Sequence, residues 1–323
     1  MTTITSKRHF FKFYFSLIFL TLILIALASG LLLMYNSRSS EGLLRPKDKF
    51  IPLVSIVCLV FAGYSLFRYF KNAPILTVDN DFISFNSQIF SITDIEKINF
   101  TGKQPFNFIV DFPMEGASVI FKTGEKKYIF DDMYSNAAEI KSFLKQIAVE
   151  KVPAVQGRTS PVDVAQAANE HYEVYSDNAI FSLQGITLFG FVGFFVYLIW
   201  NRPGTYSFGP LVFLTVINIF WVILHAYFMH YFKVSDTFFI VRNHIYFWKK
   251  RIYNLADISE VVFETRSKFP NCLRVIDVEF GNKLYPAGTL RDKTWLRLQD
   301  KLRAHNIPVR NECIWSPPTK VEQ

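Results

Sequence analysis

Three sets of side chains in this sequence are of types that do chemistry. His9, His171, His225 and His230 lie beside or at the ends of long apolar runs. Imidazoles from facing helices are what a haem or metal site at a membrane face requires. His225 and His230 stand five residues apart, however, and so do not share a helix face. Histidines at helix ends wet their rings at headgroup level, and the expectation is no cofactor and no metal. Asp94 and Asp257 sit in two versions of one nonapeptide, "ITDIEKINF" from Ile92 and "LADISEVVF" from Leu255. A carboxylate there would act as an acid or a ligand. No second carboxylate or histidine keeps a fixed spacing to both, and an Asp ahead of an apolar strand binds turn amides. The third set is basic: Lys7-Arg8, Lys126-Lys127 and Lys249-Lys250-Arg251. Lys249, Lys250 and Arg251 fall on a turn close in sequence to a membrane exit, which makes them the candidate lipid-contact residues. The competing reading is a solvated hairpin turn with snorkelling lysines.

No catalytic residues are assigned. The sequence contains no P-loop, no Gly-rich dinucleotide fingerprint, no HExxH and no nucleophile elbow. Cys58, Cys272 and Cys313 form no CxxC or CxxH spacing, so they define no metal or redox framework. Cys58 reads as a small core residue, and the other two as free thiols in a reducing compartment.

The elements that would carry these residues are set by hydropathy. Of 323 residues, 50% are hydrophobic and 35 are Phe, with a net charge of +8. Four uncharged runs stand out: Phe13 to Ser37, Phe50 to Phe67, Asn178 to Asn201, and Pro203 to Phe232. Each has about 18 residues or more, the length of helix that crosses a hydrocarbon layer about 30 Å thick. Short links, one with Gly42 and Pro46 and one with "NRPG", pair the runs into two helical hairpins. "KRHFFK" followed by "ALAS" at Ala26 to Ser29 also fits a secretory signal cleaved after Ala28. The apolar run continues past that site, so an uncleaved helix is expected. The runs lack Asp, Glu, Lys and Arg, which weakens a pump or coupled-transporter reading. Asn218 is their main polar residue and is expected to bridge helices, while Ala26, Gly30, Gly190 and Gly193 serve close packing.

Each hairpin is followed by the same order of features. "YFK" recurs at Tyr69 and Tyr231, and "VDNDFISF" from Val78 aligns with "VRNHIYFW" from Val241. The Asp-Ile elements then follow at equal spacing. Period-two segments predict strands near Ile75–Val78, Phe82–Phe85, Ile89–Ile92, Ile95–Thr101, Phe106–Phe112, Ser118–Phe121 and Lys127–Phe130. In the second copy they fall at Phe238–Val241, Ile245–Trp248, Ile252–Tyr253, Ile258–Glu264, Leu273–Phe280 and Lys283–Tyr285. Helical spacing closes each copy, from Ser135 (the expected N-cap) to Ala148 and from Asp292 to His305.

About seven antiparallel strands and a closing helix, carried by membrane hairpins, resemble the bacterial pleckstrin-homology-like (PH-like) membrane proteins. The resemblance rests on Phe82–Phe85 and Ile245–Trp248, on Asp94 and Asp257, and on the terminal helices. It implies a membrane α plus β fold: four transmembrane helices in two hairpins, each followed by a PH-like antiparallel β-barrel or roll with a C-terminal helix. The second copy has one strand fewer, so an incomplete barrel is expected there. The expected organisation is hairpin 1 at 10–70, β domain 1 at 71–150, a linker at 151–177, hairpin 2 at 178–232, β domain 2 at 233–310 and a tail at 311–323. The functional expectation is a non-enzymatic scaffold or regulator in the inner membrane of a bacterium. It would present two cytosolic modules to lipids or to other proteins, not to nucleic acid. The alternative is a channel or transporter component that forms on oligomerisation. Charge flanking the spans leans to cytosolic termini and modules, since Lys7, Arg8, Lys12, Arg68, Lys71 and Lys233 face a first loop bearing Arg38, Arg45, Lys47 and Lys49.

Overall fold

The computed structural model describes residues 3–151, 162–201, 208–265 and 270–315. The chain divides into two compact units, Met1–Gly157 and Arg158–Gln323. The linker stretch "VPAVQGRTSP" and most of the "NRPG" loop lie outside the described residues.

Unit one opens with a short strand, β1 (Ile4–Thr5), and a π-helical turn over Phe10–Phe15, where the His9 ring accepts from the Lys12 amide. The turn runs into α1 (Ser16–Ser40). A 3₁₀ turn at Pro46–Phe50 starts the return helix α2 (Ile51–Asn72), and the Arg38–Asp48 ion pair, 3.0 Å, closes the hairpin tip. Pro74 ends α2, as the residue before a proline disfavours helix. Phe10–Ser40 and Pro46–Asn72 are both long and apolar enough to cross a membrane. Within α2, Ser55 and Ser65 donate to the carbonyls of Ile51 and Phe61, so these hydroxyls need no water.

The sheets follow: β2 (Leu76–Val78), β3 (Phe82–Phe85), β4 (Gln88–Ser91), β5 (Ile95–Asn99), β6 (Lys103–Phe106), β7 (Phe112–Phe121) and β8 (Lys126–Phe130). β1 joins the edge of the first sheet, giving the order β1-β2-β3-β4. The second is organised by β7, paired with β6 over its first half and with β5 and β8 over its second. Gly116 is required in β7, because a Cβ there would lie 2.5 Å from the Ile129 carbonyl. The apolar face of α3 (Ala137–Leu144) covers both sheets through Ile140, Phe143 and Leu144. Phe13 and Leu17, at the root of α1, are buried in the same core. Arg8 stacks on Phe13 and Phe70 and donates to the Ala73 carbonyl, while Lys12 pairs with Asp132 at 2.6 Å.

Unit two carries α4 (Val164–Asn169), β9 (Glu173–Tyr175), α5 (Leu183–Asn201), α6 (Phe208–Tyr227), β10 (His230–Val234), β11 (Phe238–Asn243), β12 (Lys250–Asn254), β13 (Ile258–Thr265), β14 (Asn271–Asp277), β15 (Asn282–Pro286), α7 (Asp292–Ala304) and β16 (Val309–Asn311). Its first sheet runs β9-β10-β11-β12, the order seen in unit one, again with a pre-hairpin strand on its edge. The second runs β15-β14-β13-β16, with Trp295, Leu298 and Leu302 of α7 packed on it.

The repeated nonapeptide is the joint between the two sheets of each unit. Asp94 and Asp257 end 3₁₀ turns at Ile92–Asp94 and Leu255–Asp257. Each is followed by a register break, between Ile95 and Lys97 and between Ile258 and Glu260. The Asp94 carbonyl accepts from Lys122 N at 2.8 Å and the Asp257 carbonyl from Val278 N at 2.9 Å. A bulge at that point turns the strand from one sheet into the next.

Several expectations are corrected. Among the described residues no sheet closes into a barrel; each unit pairs its strands in open sheets. Three helices reach spanning length among the described residues, and the fourth apolar run forms α6, whose described apolar stretch is Leu211–Tyr227. Its run ends early because Phe228 and Met229 turn the chain into β10, so 228–232 is not helix. The third helix starts at Leu183, since the Asn178 side chain caps a turn ahead of it. Phe106–Phe112 is a strand end and a loop, and "PMEG" lies inside β7. Ile245–Trp248 is a loop. Ser135 is not the cap of α3; Asn136 holds that position, and Ser135 donates to the Lys7 carbonyl beyond β1. The part of the linker after Pro161, expected to be helical, does form the short helix α4, but it then adds the strand β9, and the expected tail is structured at its start, with Asn311 in β16 and Ile314 buried.

Candidate membrane-contact site

The predicted basic residues lie at the β11–β12 tip. Asn243, the last residue of β11, shapes it. Its Nδ2 donates to the Ala226 carbonyl in α6 at 2.7 Å, while its Oδ1 accepts from the amides of Ile245 and Tyr246, each at 2.9 Å. The Tyr246 hydroxyl then donates to the Ile223 carbonyl at 3.1 Å, so the loop runs back along the helix. Beyond it Phe247 and Trp248 stand 72% and 64% exposed, their rings edge to face at 5.0 Å.

Three cations follow this aromatic pair in the chain. Lys249 Nζ lies 4.7 Å from the Tyr246 ring and the Arg251 guanidinium 5.8 Å from the Tyr253 ring. Lys250 is the cross-strand partner of Arg242, which sets like charges side by side. The field is felt nearby: His230 is held below its usual range first by burial, then by the Lys249 charge. Exposed aromatics next to clustered cations match the chemistry of a membrane interface, where rings sit at headgroup depth and basic groups meet phosphate.

The other basic clusters have structural partners. Arg8 is stacked in the root of the first hairpin. Lys127 bonds Gln88 at 2.6 Å and pairs with Glu125 at 2.7 Å, and Lys126 lies over Tyr128. The histidines do not converge. His9 caps a helix, His225 bonds Gln184 at 2.9 Å and His230 bonds the Pro286 carbonyl at 2.9 Å. Among the described residues no group of three His, Cys, Asp or Glu is placed to hold a metal. None of the three cysteines is in a disulfide, and burial pushes the Cys313 thiol up to about 11.

Asn218 is not bonded across the helices. Both polar atoms of its amide are buried without a hydrogen-bond partner, beside an apolar groove of about 360 Å³ between α5 and α6 lined by Val192, Phe195, Val196, Thr215 and Ile219. Sequence reasoning missed the roles of Asn243, Tyr246, Phe247 and Trp248. The available signal was four large side chains without polar alternation, Ile245 to Trp248, directly ahead of three cations. No protein-family model matches the chain, and no curated protein matches it.

Proposed function

We propose that the chain is a non-enzymatic, multi-pass membrane protein built from a duplicated unit, each copy a helical hairpin with a PH-like sheet module. The two modules face the cytosol at a bacterial inner membrane, where they contact anionic lipid and recruit or regulate other proteins. The reading is carried by one observation: the cationic and aromatic tip at Lys249–Arg251 hangs from the end of α6 by the Asn243 and Tyr246 bonds. The duplication is supported by the matching order of the first sheets and by the repeated 3₁₀ turn and bulge. Each basic residue near an anionic surface contributes about 1 kcal/mol. Native mass spectrometry of the protein released from mixed-lipid nanodiscs tests the reading. Wild type should retain anionic over zwitterionic lipid, and K249Q/K250Q/R251Q should lose that preference. Equal retention by both proteins would refute it.

A second reading, a channel component assembled from several copies, is favoured by Asn218 alone, because an unpartnered amide in a membrane helix is satisfied by a neighbouring helix. Under it, N218L abolishes oligomers and solute flux in liposomes.

A further inference from the structure

In unit one the β6–β7 loop, 107–111, lies along α2. The Asn107 carbonyl accepts from Asn72 Nδ2 at 2.6 Å and from Arg68 Nε at 3.1 Å, and the Phe108 carbonyl accepts from the Tyr64 hydroxyl at 3.2 Å. Arg68 is the first charge after the uncharged run of this span, and Tyr64 lies one turn, about 6 Å, to its apolar side. The loop therefore steps past the charged margin of the helix toward its lipid-facing part. The Phe108 ring continues that way, 5.6 Å from Tyr64 and 6.0 Å from Phe61. Ile109 and Val110 then stand 65% and 73% exposed.

Unit two does the same with a different loop. Its β11–β12 tip passes from Ala226 to Ile223 on α6 and leaves Phe247 and Trp248 exposed, whereas the matching β3–β4 link of unit one is a tight turn at Asn86 and Ser87. Two loops at different places in the strand order thus meet the second helix of their hairpins in one manner. We propose that both tips are seated in the headgroup layer of the bilayer, Ile109 and Val110 in one unit and Phe247 and Trp248 in the other, pinning each module to the membrane beside its own hairpin. Lipid is the occupant because the tips continue the apolar surface of helices already suited to lipid, and because aromatic and basic side chains are favoured at that depth. Exposed Asp111 on one tip and Lys249 on the other hold them at headgroup level and keep them out of the hydrocarbon.

The proposal rests on the hairpins being membrane-embedded, and the experiment separates the two. The full chain carries C58S and C313S, with Cys272 left buried in β14. Single cysteines are introduced by V110C, F247C, V60C or T123C, labelled with an environment-sensitive dye, and the protein is placed in nanodiscs of zwitterionic and anionic phospholipid. Val60 is exposed on α2, and Thr123 lies past the far end of β7, about 30 Å along the strand from Phe112. Dyes at 110 and 247 should be quenched several-fold more by headgroup-region spin-labelled lipid than the dye at 123, and should resist iodide. Labels at 110 and 247 that behave like the one at 123, while 60 reports lipid, overturn the proposal alone. Shielding of 110 and 247 from both quenchers would mean a protein cover and also overturns it. A water-exposed dye at 60 overturns the membrane reading itself.

Discussion

One Asn243 side chain makes three hydrogen bonds, and they join a helix end to a loop. N243A removes all three and leaves the Ala226 carbonyl without its side-chain donor, at a cost of about 1–3 kcal/mol. The expected result is a lower thermal midpoint for unit two and a red shift of Trp248 emission in nanodiscs. The Arg274–Glu264 pair offers a second test. Both side chains are 1% exposed, and Arg274 donates twice to one Glu264 oxygen, at 2.6 and 3.0 Å, and to Asn282 at 2.6 Å. R274L should cost about 3–5 kcal/mol by removing the cation from a buried carboxylate, while R274L/E264L should cost clearly less, as read from denaturant melts. Histidines set a pH dependence. Burial holds His230 and His244 below the usual 6.5. Below that pH the unfolded chain binds protons that the folded unit refuses, so stability falls as pH drops through this window and levels off beneath the folded values. H244F, which keeps the contact with the Tyr231 ring, should flatten part of the slope in thermal melts from pH 7.5 to 5. At this scale the basic cluster Lys249 to Arg251 was visible in the sequence as charge beside an apolar exit, but not that Lys250 and Arg251 open β12. Asn243 was not, since an Asn next to four β-prone residues reads as part of a strand.

Among elements, the sequence announced those with a period. The helices α1, α2, α3 and α7 show it in spacing or unbroken apolarity, and β3, β5 and β8 in alternation. What it hid were elements defined by distant partners. β1 has two residues and pairs with β2 across more than 70 positions, so no local pattern marks it. β10 was lost because its Tyr and Phe extend an apolar run without a charge. Ile245–Trp248 misled in the opposite sense, because aromatics favoured in strands are equally favoured at a membrane interface. The edge strand carries its own prediction. A chain begun after Ala28 would lose β1 and strip Phe13 and Leu17 from the core of unit one. Such a truncation should bind a hydrophobic dye and be cut by protease within the β2–β4 sheet, whereas the full chain resists.

For the molecule as a whole, the first sheets of the two units have matching orders, while closure of those sheets did not follow from strand count. Counting apolar runs gave four spans, and only three helices reach spanning length among the described residues. If each hairpin crosses twice, both modules lie on one side. T123C and D236C should then react alike with an impermeant thiol reagent, and under the proposed cytosolic placement both are protected in intact cells and labelled after lysis. The stacking of Arg8 between Phe13 and Phe70 leaves the first module no free joint with its hairpin. Helix roots and sheet share one packed interior, so a thinner or thicker bilayer that leans α1 and α2 must swing the attached strands by the same angle, as a rudder follows its post.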